Sequence, residues 1–238
     1  MGIDSMTKFW LWLGFAGMIA GTLAILSFWR RFKEEDRFHV VIGLMVTTIA
    51  AAAYYAMASG QAVVTFGEHT VYFGRYIDWL FTTPLLLLSL LTIALPSISE
   101  SRQSRQRLGL IGAVLFADIA MIVTGAIANF STRTQDIVVW YVASCLWFAI
   151  VIWFMYGEVR RYASEHNKKS VAVYSKLLGI LTAIWIWYPV VWLLGNSGYA
   201  VVSASTEAAI YAVLDVTAKA VFGTITLSLL LNAKGKKE

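Results

Sequence analysis

A lysine and an aspartate lie within a long apolar segment near the C-terminal end of the chain. Lys219 follows Asp215 by four residues, so a helix would place both side chains on one face. A lysine amine condenses with aldehydes to a Schiff base, and a charged nitrogen in an apolar segment needs a carboxylate nearby. The pair is therefore either a structural ion pair or the attachment site of an aldehyde cofactor with its counter-ion.

A second polar stripe runs through the segment at residues 74–95. Arg75, Asp78, Thr82 and Ser89 follow one another at offsets of 0, 3, 7 and 14 residues, which is one face of a helix. Ser89 lies 11 residues beyond Asp78, or about 16 Å along a helix axis. Hydrogen bonds between helices would explain the two hydroxyls, but charged groups in such a segment indicate an internal polar path.

A third pattern is aromatic. Trp185, Tyr188, Pro189 and Trp192 lie at i, i+3, i+4 and i+7, and the whole chain has 10 tryptophans. Such a stripe is typical of helix packing, and it also suits a large, flat, apolar ligand.

These residues occur in a chain that is too apolar to be a soluble enzyme. Of its 238 residues, 59% are hydrophobic and 14% are charged, and the mean hydropathy is +0.68. A single soluble core could not bury so much apolar surface, which also excludes a disordered chain or a secreted disulfide scaffold. The single cysteine, Cys145, and the scattered histidines provide neither an internal disulfide nor a zinc site.

Seven stretches are long enough to cross a bilayer, which requires ~20 apolar residues. Their predicted bounds are 9–29, 38–59, 74–95, 108–129, 136–156, 174–195 and 204–232. The connections are short, so we expect an all-α membrane protein in which residues 1–238 form a single seven-helix domain. The first stretch lacks a clear basic leader and a small-residue cleavage site, so we expect it to remain as the first span.

The basic residues are distributed unevenly between the two sides of these spans. Only Lys8 and Arg133 lie on one side. The other side has Arg30, Arg31, Lys33, Arg37, Arg102, Arg105, Arg107, Arg160, Arg161, Lys168, Lys169, Lys176, Lys234, Lys236 and Lys237. The positive-inside rule therefore places the N-terminus outside and the C-terminus in the cytoplasm. As topology signals and contacts to lipid headgroups, these residues give no reason to expect a nucleic-acid partner.

Together the motifs resemble the microbial (type I) rhodopsins, which are retinal-binding seven-helix photoproteins of the bacteriorhodopsin type. Asp-x-x-x-Lys in the seventh span coincides with Arg-Tyr-x-Asp-Trp in the third and Tyr-Pro-Val-Val-Trp in the sixth. The similarity covers nearly the whole chain. Animal seven-helix receptors are disfavoured, since the sequence has neither their Asp-Arg-Tyr after the third span nor their Asn-Pro in the seventh.

The resemblance implies a role for each charged residue of these spans. Lys219 would carry all-trans retinal as a Schiff base, Asp78 would be its primary counter-ion and proton acceptor, and Asp215 would be the second counter-ion. Arg75 would be the arginine on the outer side, and Glu207 would match one glutamate of the family's proton-release pair. The implied retinal contacts are Trp79, Thr83, Leu86, Met121, Gly125, Tyr141, Ser144, Phe148, Trp185, Tyr188, Pro189 and Trp192.

The resemblance also implies three supporting contacts. Thr82 would bind Asp78 through a hydrogen bond. Asp118 would pair with Thr83 between the fourth and third spans. Tyr54 matches the family's tyrosine in the second span, near the arginine.

Two positions depart from the archaeal outward proton pumps. Ser89 occupies the position of their cytoplasmic proton donor, where those pumps have Asp, and a serine hydroxyl cannot donate a proton at neutral pH. Ser197 replaces one glutamate of the release pair. The context of Ser89 also resembles the xenorhodopsins, but these typically have proline at the position of Asp215.

Three functions remain open at this point. An outward light-driven proton pump without a carboxylate donor is favoured by Asp78, Asp215, Arg75 and Glu207. A photosensory rhodopsin that signals through a transducer protein is favoured by Ser89, and an inward proton pump is less favoured because Asp215 is present. Each is a multi-pass protein of the plasma membrane rather than an enzyme, and we expect it to form a homo-oligomer in the lipid bilayer.

Overall fold

The computed structural model of the chain describes residues 3–66, 69–95, 101–166 and 168–235. Within these ranges, seven helical segments are long and apolar enough to span a membrane. The helices are α1 (Ser5–Leu26), α2 (Phe38–Ala58), α3 (Phe73–Ala94), α4 (Ser101–Phe130), α5 (Thr134–Phe154), α6 (Arg160–His166), α7 (Lys168–Trp185), α8 (Trp187–Leu194), α9 (Ala204–Val216) and α10 (Phe222–Gly235). Lys236 and Lys237, which contribute to the predicted charge asymmetry, lie outside the described residues.

Two spans contain a single π-helical turn. Met155–Val159 joins α5 to α6, and Thr217–Val221 joins α9 to α10. The segment from Thr134 to Glu165 is therefore one span of 32 residues, about ten residues longer at its C-terminal end than the sequence predicts. Charged residues extend this helix beyond the apolar stretch, and Glu158 binds Arg161 one turn later at 2.6 Å.

The connection between α2 and α3 contains a short pair of β-strands, which the sequence analysis does not predict. β1 (Val64–Phe66) and β2 (His69–Val71) pair antiparallel, with Val64 opposite Val71. β-branched residues favour this short hairpin. It lies directly before the helix that carries Arg75 and Asp78.

One compact unit consists of Met1–Thr82 and Ala183–Glu238. Here α1 packs against α2 and α9 through small residues. A side chain at Gly14 would overlap the ring of Tyr54, and one at Gly21 would overlap Ala220. Gly14 therefore lets α1 and α2 approach closely where Tyr54 turns inward.

The start of α1 is fixed by a capping aspartate. Asp4 accepts a hydrogen bond from the backbone N–H of Thr7 at 2.8 Å. This contact to Thr7 holds the pKa of the Asp4 carboxyl below its ordinary value.

The other compact unit is Thr83–Thr182, in which α4 packs along α5. The Tyr174 hydroxyl, on α7, donates a hydrogen bond of 2.6 Å to the carbonyl oxygen of Met155 in the π-helical turn. Tyr174 and Met155 are both fully buried. This bond ties α7 to the end of α5.

Large apolar side chains are exposed along the spans. Leu23, Phe116, Val139, Leu146 and Val213 each expose at least 60% of their surface. Water would make such surfaces prone to aggregation, whereas the hydrocarbon core of a bilayer solvates them.

Candidate functional site

Lys219 lies in the π-helical turn Thr217–Val221 and is almost completely buried, with 2% of its surface exposed. Its Nζ donates to Asp78 Oδ2 at 2.5 Å and to Asp215 Oδ1 at 2.7 Å. The contact with Asp215 is the i,i+4 pair that the sequence predicts. The contact with Asp78 joins the polar stripe of α3 to the seventh span.

The two carboxylates differ in how they are held. Asp78 accepts one further hydrogen bond in the structure, from Thr82 Oγ1 at 3.1 Å, which confirms the expected contact. Asp215 accepts three more, from Tyr54 Oη at 2.8 Å, Tyr188 Oη at 2.9 Å and Trp79 Nε1 at 3.2 Å. Hydrogen bonds of this kind stabilise the charged form of a carboxylate, so Asp215 is the more firmly held anion.

A second ion pair lies at the N-terminal ends of α3 and α9. Arg75 Nη1 contacts Glu207 Oε1 at 3.1 Å, and both side chains are 8% exposed. The Arg75 guanidinium also lies over the ring of Tyr211, 3.9 Å from its centroid. Glu207 is in the first turn of α9, where the helix dipole favours a negative charge.

Five buried ionic groups of this unit form two ion-paired sets, which together we call the cluster. Arg75 pairs with Glu207, and Lys219 lies between Asp78 and Asp215, so the cluster has two cations and three carboxylates. The cluster can therefore take up a proton without acquiring net positive charge.

Aromatic residues surround the lysine end of this cluster. The rings of Trp79 and Tyr188 meet edge to face with centroids 5.3 Å apart, and Trp192 Nε1 donates to Tyr76 Oη at 2.8 Å. Trp185 and Trp192 are each 7% exposed, while Tyr188 and Pro189 are half-buried. The predicted aromatic face therefore lies in the same unit as Lys219.

The remaining predicted retinal contacts belong to the unit Thr83–Thr182. Thr83 Oγ1 donates to Asp118 Oδ2 at 2.8 Å, as the resemblance implies. Ser144 Oγ donates to the Met121 carbonyl at 2.8 Å. Leu86 is buried, and the half-buried members of the set are Met121, Gly125, Tyr141, Ser144 and Phe148. Ser89, at the predicted donor position, is also buried in this unit.

Two residues of the cluster are missing from the sequence-based prediction. Tyr211 stacks on Arg75 and donates to the Tyr188 carbonyl at 3.3 Å, and the Asn196 backbone N–H donates to Glu207 Oε2 at 2.8 Å. Spacing could have indicated Tyr211, because it belongs to the i, i+4 series at 207, 211, 215 and 219. A backbone amide has no side-chain signal, so the sequence could not indicate Asn196.

The residues fit an aldehyde cofactor attached to a lysine. Such a cofactor requires an amine shielded from water, carboxylates to balance a positive nitrogen, and aromatic surface against an apolar chain. Lys219 Nζ lies between two carboxylates, and one of these, Asp215, also accepts hydrogen bonds from the aromatic side chains of Trp79 and Tyr188. The π-helical turn at the lysine is also of a kind that is frequent at functional sites.

Comparison with known proteins agrees with this geometry. A family described as bacteriorhodopsin-like protein matches residues 5–233. Bacteriorhodopsin from Haloterrigena sp. (strain arg-4) is 36% identical over an alignment of 225 residues, and the match covers 92% of this chain and 86% of that protein.

Solved structures are similar over the same length. Thermophilic rhodopsin from Rubrobacter xylanophilus has a TM-score of 0.88 and 33% identity, covering 97% of this chain and 99% of that one. The light-driven proton pump LR (Mac) from Leptosphaeria maculans has a TM-score of 0.87 and 29% identity, covering 98% and 97%. The buried lysine with its carboxylates and these full-length matches show that the chain belongs to the bacteriorhodopsin-like family of microbial (type I) rhodopsins, which are multi-pass membrane proteins.

Proposed function

We propose that this chain is a light-driven outward proton pump with all-trans retinal attached to Lys219 as a Schiff base. The observation that carries the proposal is the position of Lys219 Nζ, 2.5 Å from Asp78 and 2.7 Å from Asp215. A proton on this nitrogen has two acceptors within hydrogen-bond distance.

Asp78 is the acceptor in this proposal. Protonation of Asp215 would weaken the hydrogen bonds that Tyr54, Tyr188 and Trp79 donate to its charged form. Among the residues that the structure describes, Asp78 has only Thr82 as a further side-chain donor, so its protonation weakens fewer hydrogen bonds. Two carboxylates in unequal surroundings thus take different roles, with Asp78 receiving the proton and Asp215 remaining charged.

The cofactor supplies the energy input, because bound retinal absorbs visible light and changes its geometry. The protein holds the proton at Lys219 Nζ and then at Asp78 Oδ2. Burial of both atoms keeps bulk water from providing a competing acceptor.

The direction of transport follows from what lies beyond Asp78. Arg75 is one turn earlier on α3, and its ion-pair partner Glu207 lies in the first turn of α9. The N-terminal ends of α3 and α9 lie on the same side of the membrane, and the distribution of basic residues assigns that side to the outside. A proton that passes from Asp78 towards Arg75 and Glu207 therefore moves outwards.

Ser89 lies in the opposite direction along α3 and is 6% exposed. The segment from Trp79 to Leu95 has no aspartate or glutamate. In this proposal the nitrogen regains its proton from cytoplasmic water rather than from a carboxylate of α3. This is a slower route, and it is the reason to retain a photosensory rhodopsin with a transducer protein as the second candidate function.

The similarity to LR (Mac), itself a light-driven proton pump, supports the first candidate. The test is the pH of an unbuffered suspension of cells that express the protein, measured on illumination. Outward pumping acidifies the medium, and a protonophore abolishes the change.

Lys219→Ala is the matched control, because it removes the attachment site and should give neither a visible absorption band nor a pH change. Alkalinisation by the wild type would show inward pumping. A pigment that forms normally but changes no pH would favour the sensory function.

A further inference from the structure

The Glu207 carboxylate is held on both of its oxygen atoms. Oε1 contacts Arg75 Nη1 at 3.1 Å, and Oε2 accepts the backbone N–H of Asn196 at 2.8 Å. The residue is 6% exposed. Because both oxygens accept from donors of this unit, the carboxylate bridges α3 to the connection between α8 and α9.

Gly195 lies directly beside the Glu207 carboxylate. A Cβ atom added at Gly195 would lie 2.6 Å from both the Cδ and the Oε2 atom of Glu207. Real Cβ atoms essentially never approach another heavy atom so closely. The Glu207 carboxylate therefore occupies the space that any side chain at position 195 would need.

Backbone conformation does not explain a glycine here. Gly195 has φ −79° and ψ −172°, which is extended backbone that any residue adopts. The requirement for glycine at this position is a requirement for space beside Glu207.

The connection around Gly195 is well fixed, so it cannot easily move away from a larger residue. The Gly195 carbonyl accepts the N–H groups of Gly198 at 3.1 Å and Ala200 at 2.9 Å. Gly195 N–H itself donates to the Val191 carbonyl at 2.8 Å. Its N–H and its carbonyl are thus both engaged while Asn196 N–H points at Glu207.

We propose that Gly195 is a positioning residue. Its missing side chain leaves the space in which the Glu207 carboxylate lies between Asn196 N–H and Arg75. Its effect on proton release rests on the proposed pump, whereas its effect on the ion pair does not. With both oxygens of Glu207 occupied, Arg75 is held at the outer ends of α3 and α9. A proton that leaves Asp78 must then pass the closed ion pair of Arg75 and Glu207. The opening of this pair depends on how Gly195 positions Glu207.

The first experiment measures thermal unfolding in the dark by circular dichroism, which requires no photochemistry. The variants are Gly195→Ala, Glu207→Ala and the double variant. Gly195→Ala should lower the melting temperature by on the order of 10 °C, since it displaces Glu207 from Arg75 and leaves a buried charge unpaired.

In the Glu207→Ala background the same glycine change should cost less than about 2 °C, because the carboxylate that the new methyl group meets is gone. The remaining contact of that methyl with the Val191 carbonyl is common to both backgrounds. If Gly195→Ala alone does not fold, recovery of folding in the double variant supports the proposal. Equal losses in both backgrounds, or no loss in either, would overturn it.

The second experiment follows the proton at the outer surface after a flash, with a membrane-impermeant pH dye. Gly195→Ala and Glu207→Ala should change the time of proton appearance by the same factor, and the double variant should show no further change. Gly112→Ala is the matched control, because a Cβ there meets nothing within 4 Å.

The two experiments fail separately. Effects on timing that simply multiply in the double variant would show that Gly195 does not act through Glu207. If the wild type releases no proton while the unfolding result holds, the proposal that Gly195 positions Glu207 is correct and the proposal of a proton pump is wrong.

Discussion

At the scale of single residues, the unequal surroundings of Asp78 and Asp215 are the basis of the different roles proposed for the two carboxylates. Both contact Lys219 Nζ, but Asp215 also accepts hydrogen bonds from Tyr54, Tyr188 and Trp79. Removing the charge at each position should therefore have different consequences.

Asp78→Asn should shift the visible absorption to longer wavelength and abolish light-driven pH changes. A negative charge 2.5 Å from Nζ stabilises positive charge at the nitrogen, and this stabilisation is lost when excitation spreads the charge away from it. The absorption spectrum and the pH assay measure the two effects. Thr82→Val is the control, since it removes a hydrogen bond to Asp78 but no charge and should shift the band less. An unchanged band in Asp78→Asn would transfer the counter-ion role to Asp215.

Ser89 sets the expected dependence of the recovery rate on pH. The half of α3 that we expect to face the cytoplasm has no carboxylate from Trp79 to Leu95. Recovery of the absorption band after a flash should therefore follow bulk proton concentration, slowing about tenfold per pH unit once uptake limits it. Ser89→Asp provides an internal donor, so recovery should be faster at high pH and nearly flat. Flash photolysis across about pH 6 to 9 compares the two proteins. Wild-type recovery that is fast and flat over this range would mean that another group donates.

At the scale of elements, each of the two π-helical turns has a backbone carbonyl that accepts a hydrogen bond from a side-chain hydroxyl. Thr224 Oγ1 donates to the Ala220 carbonyl at 2.8 Å, in the turn that contains Lys219. Tyr174 Oη donates to the Met155 carbonyl at 2.6 Å, in the turn between α5 and α6. A π-helical turn interrupts the regular i to i−4 pattern, so side-chain donors can bind carbonyls there, and Tyr174 does so from another helix.

Tyr174→Phe should destabilise the protein by about 1–2 kcal/mol, because the Met155 carbonyl then lies buried without this donor. The melting temperature should fall by roughly 2–6 °C. Tyr156→Phe is a matched control, since its hydroxyl contacts Thr182 at 3.4 Å and the residue is 40% exposed. If both variants melt at the same temperature as the wild type, the bond at the π-helical turn does not stabilise the contact between α7 and α5.

At the scale of the whole molecule, the uneven distribution of basic residues predicts the orientation in the membrane. The experiment replaces Cys145 with alanine and introduces single cysteines on opposite sides of the spans, as Thr132→Cys and Glu34→Cys. Both positions are exposed in the structure. An impermeant maleimide added to intact cells should label the cysteine at 132 and not the one at 34. The reverse pattern would place the N-terminus in the cytoplasm, and Asp78 would then release protons inwards.

Much of the fold is predictable because it depends on local sequence. A bilayer sets the length of a span, so the seven apolar stretches predict the seven spans within a few residues, except at the C-terminal end of the fifth. Helical periodicity likewise predicts that Asp215 and Lys219 are neighbours, and the structure confirms this at 2.7 Å. The family resemblance rests on such short motifs and is also confirmed. That residues 1–238 form one domain, and that the chain forms a homo-oligomer, stay predictions.

The rest depends on segments far apart in sequence. Asp78 and Lys219 are separated by 141 residues, and only the packing of the helices brings them to 2.5 Å. The same holds for the donors that distinguish Asp215 from Asp78, and for the close approach of Gly195 to the Glu207 carboxylate. By itself the sequence determined which groups are available, because residue type and helical spacing are local properties. The tertiary structure decided which carboxylate each hydrogen-bond donor reaches, because that depends on distances between helices that no local pattern records.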